Sequence, residues 1–229
     1  IVDPKLSEAV GGPLDCVVHM AAVAAPLLCD SDPRQAFDIN VTGTHHVLKL
    51  AVASGARKFV FASSAHVYGI SPRYMPTDER HPLWLQDVYT TSKLLGEKLC
   101  ELFYDNHGLS CTVLRLFNGY GPGQSAGYFI PDMLAKAKQG RIEMRGARVT
   151  KDFVFVDDVV RAFVAATLTP YAGSLNIGSG RETALGDVAA IIANRLRVPL
   201  ELLDYPREKD SRMWCDRRRA ERVLGWTPE

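Results

Sequence analysis

Three side chains of this sequence could together move a proton at an alcohol. Tyr89 and Lys93 are four residues apart, so on a helix they lie one turn apart on the same face. Ser64 ends an apolar segment that precedes Tyr89 in the chain. A nearby ammonium favours a phenolate, so we expect Lys93 to bring the pKa of Tyr89 closer to neutrality. The three residues therefore predict acid or base catalysis by a tyrosine that a serine hydroxyl assists.

The Tyr-x3-Lys spacing is not specific by itself. A second match at positions 205–209 contains Pro206 and follows no serine-bearing strand, so we interpret it as chance. Ser64 alone is typical of a cap or a turn. However, Ser64 stands at the carboxyl end of a predicted strand, where open α/β sheets bind their ligands. The combination of strand end, Tyr89 and Lys93 therefore indicates a catalytic site.

The elements that must position these residues are those of an α/β protein. Continuous apolar runs at 15–20, 58–62 and 110–117 predict buried strands. The segments at 33–53 and 83–107 predict helices between them. Buried strands that alternate with helices favour a parallel sheet covered on both faces. The expected fold is a Rossmann-like, doubly wound parallel sheet.

The pattern changes after Asn118. A glycine-rich loop comes first, followed by a predicted helix at 131–138 and a predicted basic hairpin at 141–151. Strands at 152–156 and 175–178 are predicted next, with helices to Leu168, at 184–196 and at 217–224. Asp157 and Asp158 are expected to cap the first of these helices. We predict a cofactor-binding core from 1–118 and 152–180, and a smaller substrate-binding part from 119–151 and 181–229.

Composition narrows the classes of function. With 229 residues and 47% hydrophobic content, the chain can bury one large core or two modest ones. A net charge of +1 gives no reason to expect nucleic acid or an acidic membrane as a partner. The most apolar stretch, at 16–29, is too short to span a bilayer. Five cysteines without CxxC spacing predict reduced thiols in a cytoplasmic protein, and no metal site is expected.

A series of motifs, in order, resembles the extended short-chain dehydrogenases/reductases that act on nucleotide sugars, and most of all their UDP-glucose 4-epimerase-like members. The resemblance covers nearly all of the chain. Its motifs are Asp15-x-Val17-x-His19-x-Ala21-Ala22, Asn40-Val41-x-Gly43-Thr44, Ser63-Ser64-Ala65-x-Val67-Tyr68-Gly69, Tyr89-x3-Lys93, Arg115-x-Phe117-Asn118-x-Tyr120-Gly121-Pro122, Asp152-Phe153-Val154-x-Val156-x-Asp158, Asn176-Ile177-Gly178-x-Gly180 and Leu224-Gly225-Trp226-x-Pro228.

The resemblance implies a role for each site residue. Tyr89 would exchange a proton with a sugar hydroxyl while NAD takes hydride from the same carbon. Lys93 would hold the nicotinamide ribose, and Ser64 would hydrogen-bond the reacting oxygen. Further cofactor contacts are implied for Met20, Ala21, Ala22, Asn40, Ser63 and Phe117. The nucleotide diphosphate would be held by Asn118, Lys151 and Arg207, although Lys151 stands where relatives usually have the bidentate Arg.

One departure from the family pattern narrows the reaction. Sugar 4,6-dehydratases place an Asp-Glu pair beside the serine, and the related decarboxylases place a Glu there. This chain has Ala65 and His66 instead. We interpret His66 as an exposed residue at a loop edge rather than an acid or base. The sequence thus favours a UDP-sugar 4-epimerase that works through a 4-keto intermediate, with dehydratase, decarboxylase and reductase as alternatives.

A second departure concerns the cofactor-binding half. The GxxGxxG turn of the family does not occur in the printed sequence, and we expect it to precede Ile1 within roughly 60 residues of alternating strand and helix. The alternative is a short, catalytically inactive module for binding or dimerisation. NAD is the expected cofactor, with NADP as the alternative. A homodimer that pairs through the helices at about 34–53 and 84–106 is also expected.

Overall fold

The computed structural model describes residues 1–3, 5–6, 12–207 and 210–229, so the end of the second Tyr-x3-Lys match, Lys209, lies outside the described residues. In chain order the strands are β1 (Cys16–His19), β2 (Lys58–Ser64), β3 (Ser110–Leu116), β4 (Asn118–Tyr120), β5 (Ile142–Met144), β6 (Thr150–Lys151), β7 (Phe153–Phe155), β8 (Gly173–Ile177), β9 (Thr183–Ala184) and β10 (Leu200–Leu202).

The helices alternate with these strands. They are α1 (Pro26–Ser31), α2 (Pro33–Phe37), α3 (Gly43–Ala53), α4 (Val88–His107), α5 (Phe129–Lys138), α6 (Val156–Leu168), α7 (Leu185–Leu196) and α8 (Arg218–Leu224). A π-helical segment, Asp38–Thr42, joins α2 to α3, and a 3₁₀ turn, Ala65–Tyr68, follows β2 directly.

The central sheet has the strand order β1-β2-β3-β8, and all of its pairs are parallel. Side chains alternate along β2, so Phe59 and Phe61 pack towards α3 and α4 while Val60 packs towards α6. Every residue of β2 is buried, which explains its apolar run from Phe59 to Ala62. The predicted α/β fold, with a parallel sheet between helical layers, is confirmed.

The predicted hairpin at 141–151 is wrong. β5 pairs in parallel with β10, and β6 pairs antiparallel with β9. β5 takes this position because its two buried side chains, Ile142 and Met144, join a hydrophobic cluster between α5 and α7. That cluster is built from the two segments assigned to the smaller part, and the division of the chain into two parts stays a prediction.

Asp157 and Asp158 lie in the first turn of α6 but do not cap it. The N-cap is Phe155, which makes no side-chain cap hydrogen bond. The carboxylate of Asp158 instead pairs with Arg161 and accepts a hydrogen bond from the backbone N–H of Glu229 at 3.2 Å. Their negative charge still suits the amino end of a helix.

Three further features of the structure concern its cysteines, membrane-spanning helices and potential metal ligands. Of the five cysteines, all of which are free thiols, Cys16 is half-buried and the rest are buried. None of the helices in the described ranges is long and apolar enough to cross a membrane. Within those ranges, no cluster of three or more potential metal ligands is found.

Candidate active site

Helix α4 positions the tyrosine and the lysine. It begins at a capping box in which the side chain of Asp87 accepts a hydrogen bond from the backbone N–H of Thr90 at 2.7 Å. Tyr89 and Lys93 therefore lie in the first two turns, and both are buried. The Lys93 ammonium donates a hydrogen bond to the Ala62 carbonyl of β2 at 2.9 Å and lies 5.9 Å from the centre of the Tyr89 ring.

The expected shift of the Tyr89 pKa towards neutrality is wrong for the structure. Burial raises the pKa of Tyr89 to about 12, although a hydrogen bond with the Ser64 side chain acts in the opposite direction. Burial also lowers the pKa of Lys93 to about 8, with Cys29 and Glu97 opposing the shift. Desolvation is the largest cause of both shifts because both residues are more than nine-tenths buried.

A cavity of about 510 Å³ opens at the carboxyl ends of β2 and β3. It brings together five of the predicted site residues, namely Ser63, Ser64, Tyr89, Phe117 and Asn118. Its volume is in the range of small-molecule sites. The sequence prediction missed much of its aromatic wall, formed by Tyr128, Phe129 and Phe153. The position of Tyr128 and Phe129 directly after the glycine-rich loop was the available signal for those two residues.

The sequence-based interpretation of His66 as an exposed residue is also wrong. His66 is half-buried, lines the cavity and sets its ring edge-on to that of Tyr89, with ring centroids 6.3 Å apart. It is carried there by the 3₁₀ turn that begins after Ser64, whose hydroxyl accepts a hydrogen bond from the His66 backbone N–H at 3.2 Å.

Other predicted cofactor residues lie outside the cavity. Met20, Ala21 and Ala22 follow the carboxyl end of β1, and Met20 is 57% exposed. Asn40 is buried, and its amide exchanges hydrogen bonds with both backbone groups of Val23, at 2.8 and 3.1 Å. The Asn40 amide also donates to the Ser92 hydroxyl of α4 at 2.9 Å. Asn40 thus fixes the segment after β1 against the helix that carries Tyr89.

The predicted diphosphate residues do not form one cluster. Asn118 lines the cavity and donates a hydrogen bond to the Asp152 carbonyl at 3.2 Å. Lys151 does not line it but lies close enough to influence His66, and burial lowers the pKa of Lys151. Arg207 is exposed and does not line the cavity.

A buried polar network supports the floor of the site. The Ser63 hydroxyl donates to Glu97 of α4, which accepts two hydrogen bonds from Arg115 of β3, at 3.0 and 2.6 Å. Arg115 also donates to the Tyr68 hydroxyl at 2.9 Å, which donates to Asn176 at 2.7 Å. The network therefore connects β2, β3, β8, α4 and the 3₁₀ turn.

Comparison with known proteins identifies the family. The model described as "NAD dependent epimerase/dehydratase family" matches residues 3–178. The chain belongs to this family.

Relatives of the chain differ in the reaction that their names give. It is 35% identical to the "Putative UDP-glucose 4-epimerase" of Methanocaldococcus jannaschii, over 100% of this chain and 77% of the relative. It is 31% identical to the GDP-6-deoxy-D-mannose reductase of Pseudomonas aeruginosa, over 94% of this chain and 75% of the relative.

Two solved structures show the likeness in three dimensions. RMD from Pseudomonas aeruginosa complexed with NADPH has a TM-score of 0.91 at 29% identity, covering 100% of this chain and 81% of that one. The UDP-glucose 4-epimerase of Thermotoga maritima with UDP-glucose has a TM-score of 0.89 at 28% identity, covering 100% and 77%.

The described residues fit the nicotinamide ribose of the family's cofactor. The Lys93 ammonium is 5% exposed, and its only hydrogen bond to a described residue goes to the Ala62 carbonyl. An ammonium has three donors, and its lowered pKa reflects lost solvation. Ribose hydroxyls would supply the missing acceptors. The unpaired donors of Lys93 fit this end of the cofactor, and the assignment of Lys93 and Tyr89 to it stays a prediction.

Proposed function

We propose that this member of the epimerase/dehydratase family is an NAD-dependent 4-epimerase of a UDP-sugar. The observation that carries the proposal is the composition of the cavity wall. Among the described residues, the cavity holds the Ser64–Tyr89 pair but no aspartate or glutamate. Elimination of a sugar hydroxyl needs an acid and a base besides Tyr89, so a wall without carboxylates favours oxidation and reduction at one carbon.

The protein groups have separate tasks in this reaction. The chemistry that NAD supplies when bound is reversible hydride transfer at the sugar carbon. Tyr89 takes the proton from the sugar hydroxyl. It returns the proton after the keto sugar has rotated in the cavity to present its other face. Ser64 hydrogen-bonds Tyr89, which lowers the pKa of Tyr89 against the effect of burial. Lys93 is protonated at neutral pH, and its charge favours the phenolate form of Tyr89.

Asn118 and Lys151 are assigned to the nucleotide diphosphate in this proposal, and Arg207 would have to approach from the surface. We also propose that the chain acts as a homodimer through α3 and α4. Leu95 and Leu102, which lie two turns apart on one face of α4, are exposed, and this suits an apolar pairing surface.

Tyr89→Phe tests the proposal directly. The variant keeps the ring but loses the proton-transferring oxygen, so we expect kcat to fall by about 10²–10⁴-fold with little change in the affinity for the UDP-sugar. Turnover is followed by NMR, with UDP-glucose as the substrate, NAD as the cofactor and UDP-galactose as the product. Tyr74→Phe, which alters an exposed tyrosine outside the cavity, is the matched control.

The same assay separates the alternatives. A reductase is the second candidate because the GDP-6-deoxy-D-mannose reductase of Pseudomonas aeruginosa is 31% identical to this chain. In this assay a reductase would run in its oxidative direction and reduce one NAD for each keto sugar formed, whereas an epimerase causes no net reduction of NAD. A product that lacks the 6-hydroxyl would show a dehydratase. Absence of both turnover and nucleotide binding would support the inactive binding module.

A further inference from the structure

His66 is a polar group of the cavity that the proposed mechanism does not use. Its ring lies beside Tyr89, at the end of the strand that carries Ser64. The three residues therefore face the same part of the cavity, and they line it together. A sugar whose reacting hydroxyl meets Ser64 and Tyr89 would present a neighbouring hydroxyl to His66.

Among the described residues, the ring nitrogens of His66 lack the hydrogen-bond partners that the two most buried histidines have. His19 has one ring nitrogen 3.0 Å from the Thr44 hydroxyl. His81 accepts a hydrogen bond from the Arg73 N–H at 2.8 Å and contacts the Pro82 carbonyl with its other nitrogen at 2.6 Å. No hydrogen bond joins the His66 ring to any other residue that the structure describes. Its nitrogens are thus open to a ligand in the cavity.

The surroundings of His66 keep its ring neutral. Burial lowers the pKa of His66, the charge of Lys151 lowers it further, and Asp87 opposes the shift. Tyr89 also faces the ring, and because burial raises its pKa to about 12 it brings no negative charge to His66 in the protein without bound ligands. A neutral imidazole offers one N–H donor and one acceptor, and a hydroxyl group matches both. An anionic group would favour the protonated ring instead.

We propose that His66 is a residue that determines substrate specificity: its neutral imidazole hydrogen-bonds a hydroxyl of the sugar, next to the hydroxyl that Ser64 and Tyr89 hold. This inference rests on the proposed function, because it requires a nucleotide sugar in the cavity. It assigns His66 to recognition of the sugar and not of the nucleotide. Loss of the ring should therefore affect ligands that carry the sugar and spare those that lack it.

The test compares two probes, UDP-glucose and UDP, by isothermal titration of the full chain in the presence of NAD. In His66→Ala we expect the affinity for UDP-glucose to fall about tenfold, while the affinity for UDP stays unchanged. His66→Gln, whose amide is neutral and both donates and accepts, should recover most of the loss. His107→Ala is the matched control, because His107 is exposed at the carboxyl end of α4.

The outcomes separate this inference from the proposed function. If His66→Ala weakens both probes equally, the ring only supports the cavity wall and the inference is overturned. If it weakens neither, His66 does not contact the sugar and the inference is again overturned. If the unaltered chain binds neither probe, the proposed function fails, and this inference fails with it.

Discussion

At the scale of single residues, the site places function and stability in conflict at Lys93. Its ammonium is needed near Tyr89 but is buried, with the Ala62 carbonyl as its hydrogen-bond acceptor. Burial lowers the pKa of Lys93 to about 8, so the folded protein favours the neutral amine more than the unfolded chain does. Below pH 8 both states carry the charge, and the folded state bears the full cost of its desolvation.

Lys93→Met should therefore stabilise the protein at pH 7 while it abolishes activity. Removing the buried charge is worth ~2–3 kcal/mol by the pKa shift, which corresponds to a rise in Tm of several degrees. Thermal unfolding of both forms at pH 7 measures the difference, which should disappear above pH 10.5. Lys49→Met, on the exposed side of α3, serves as the control. A lower Tm for Lys93→Met would show that the hydrogen bond to Ala62 outweighs desolvation.

At the scale of secondary-structure elements, the predictions succeeded for strands and helices that their own local sequence determines. The strand β2 was predictable because all of its residues are buried, so its sequence is apolar from Phe59 to Ala62, just before Ser63 and Ser64. The start of α4 was predicted only loosely, at 83, because the capping box at Asp87 was not recognised. Ser64 followed from its place at the end of β2, because open α/β sheets bind ligands at the carboxyl ends of their strands, whereas Phe117 and Asn118 followed from the family resemblance.

The failures at this scale come from contacts between distant segments. β5 was assigned to a hairpin because its partner, β10, is far away in sequence and no local signal marks it. The position of His66 was misjudged because the turn that carries it folds against α4 rather than outwards. The pKa of Tyr89 is raised and not lowered as predicted, because the spacing of Tyr89 and Lys93 does not show how deeply the two residues are buried.

Helix α4 packs closely against β2, and Gly96 allows this close approach. A Cβ at Gly96 would lie 2.5 Å from the Phe61 ring, which is 2% exposed and fixed in the core. Gly96→Ala should lower the free energy of unfolding by ~1–3 kcal/mol, despite a helix-propensity gain of about 1 kcal/mol. Because α4 must shift, kcat should fall too. Lys98→Ala, exposed on the same helix, is the control, and equal denaturation midpoints for Gly96→Ala and wild type would refute the argument.

At the scale of the whole molecule, ionisable groups are buried along one path under the site. His19 of β1, Lys93 of α4 and the Glu97–Arg115 pair lie between the sheet and its covering helices. Glu97 and Arg115 compensate each other's charge within hydrogen-bonding distance. Among the residues that the structure describes, His19 has no oppositely charged partner: it contacts the Thr44 hydroxyl and stacks on Phe61. Acidification should therefore act on the fold through His19.

Burial, with smaller effects of Lys93 and the chain's amino terminus, lowers the pKa of His19 from 6.5 to about 4. Between these values the unfolded chain binds the proton and the folded protein does not, so stability is lost as pH falls from 6.5 to 4. The loss from this group should reach ~3 kcal/mol. Urea unfolding at pH 7 and pH 4 should show wild type losing that much more than His19→Gln, which keeps a polar contact for Thr44. His107→Gln should behave like wild type because His107 is exposed. Equal losses in the free energy of unfolding for wild type and His19→Gln would show that groups other than His19 cause the loss of stability in acid.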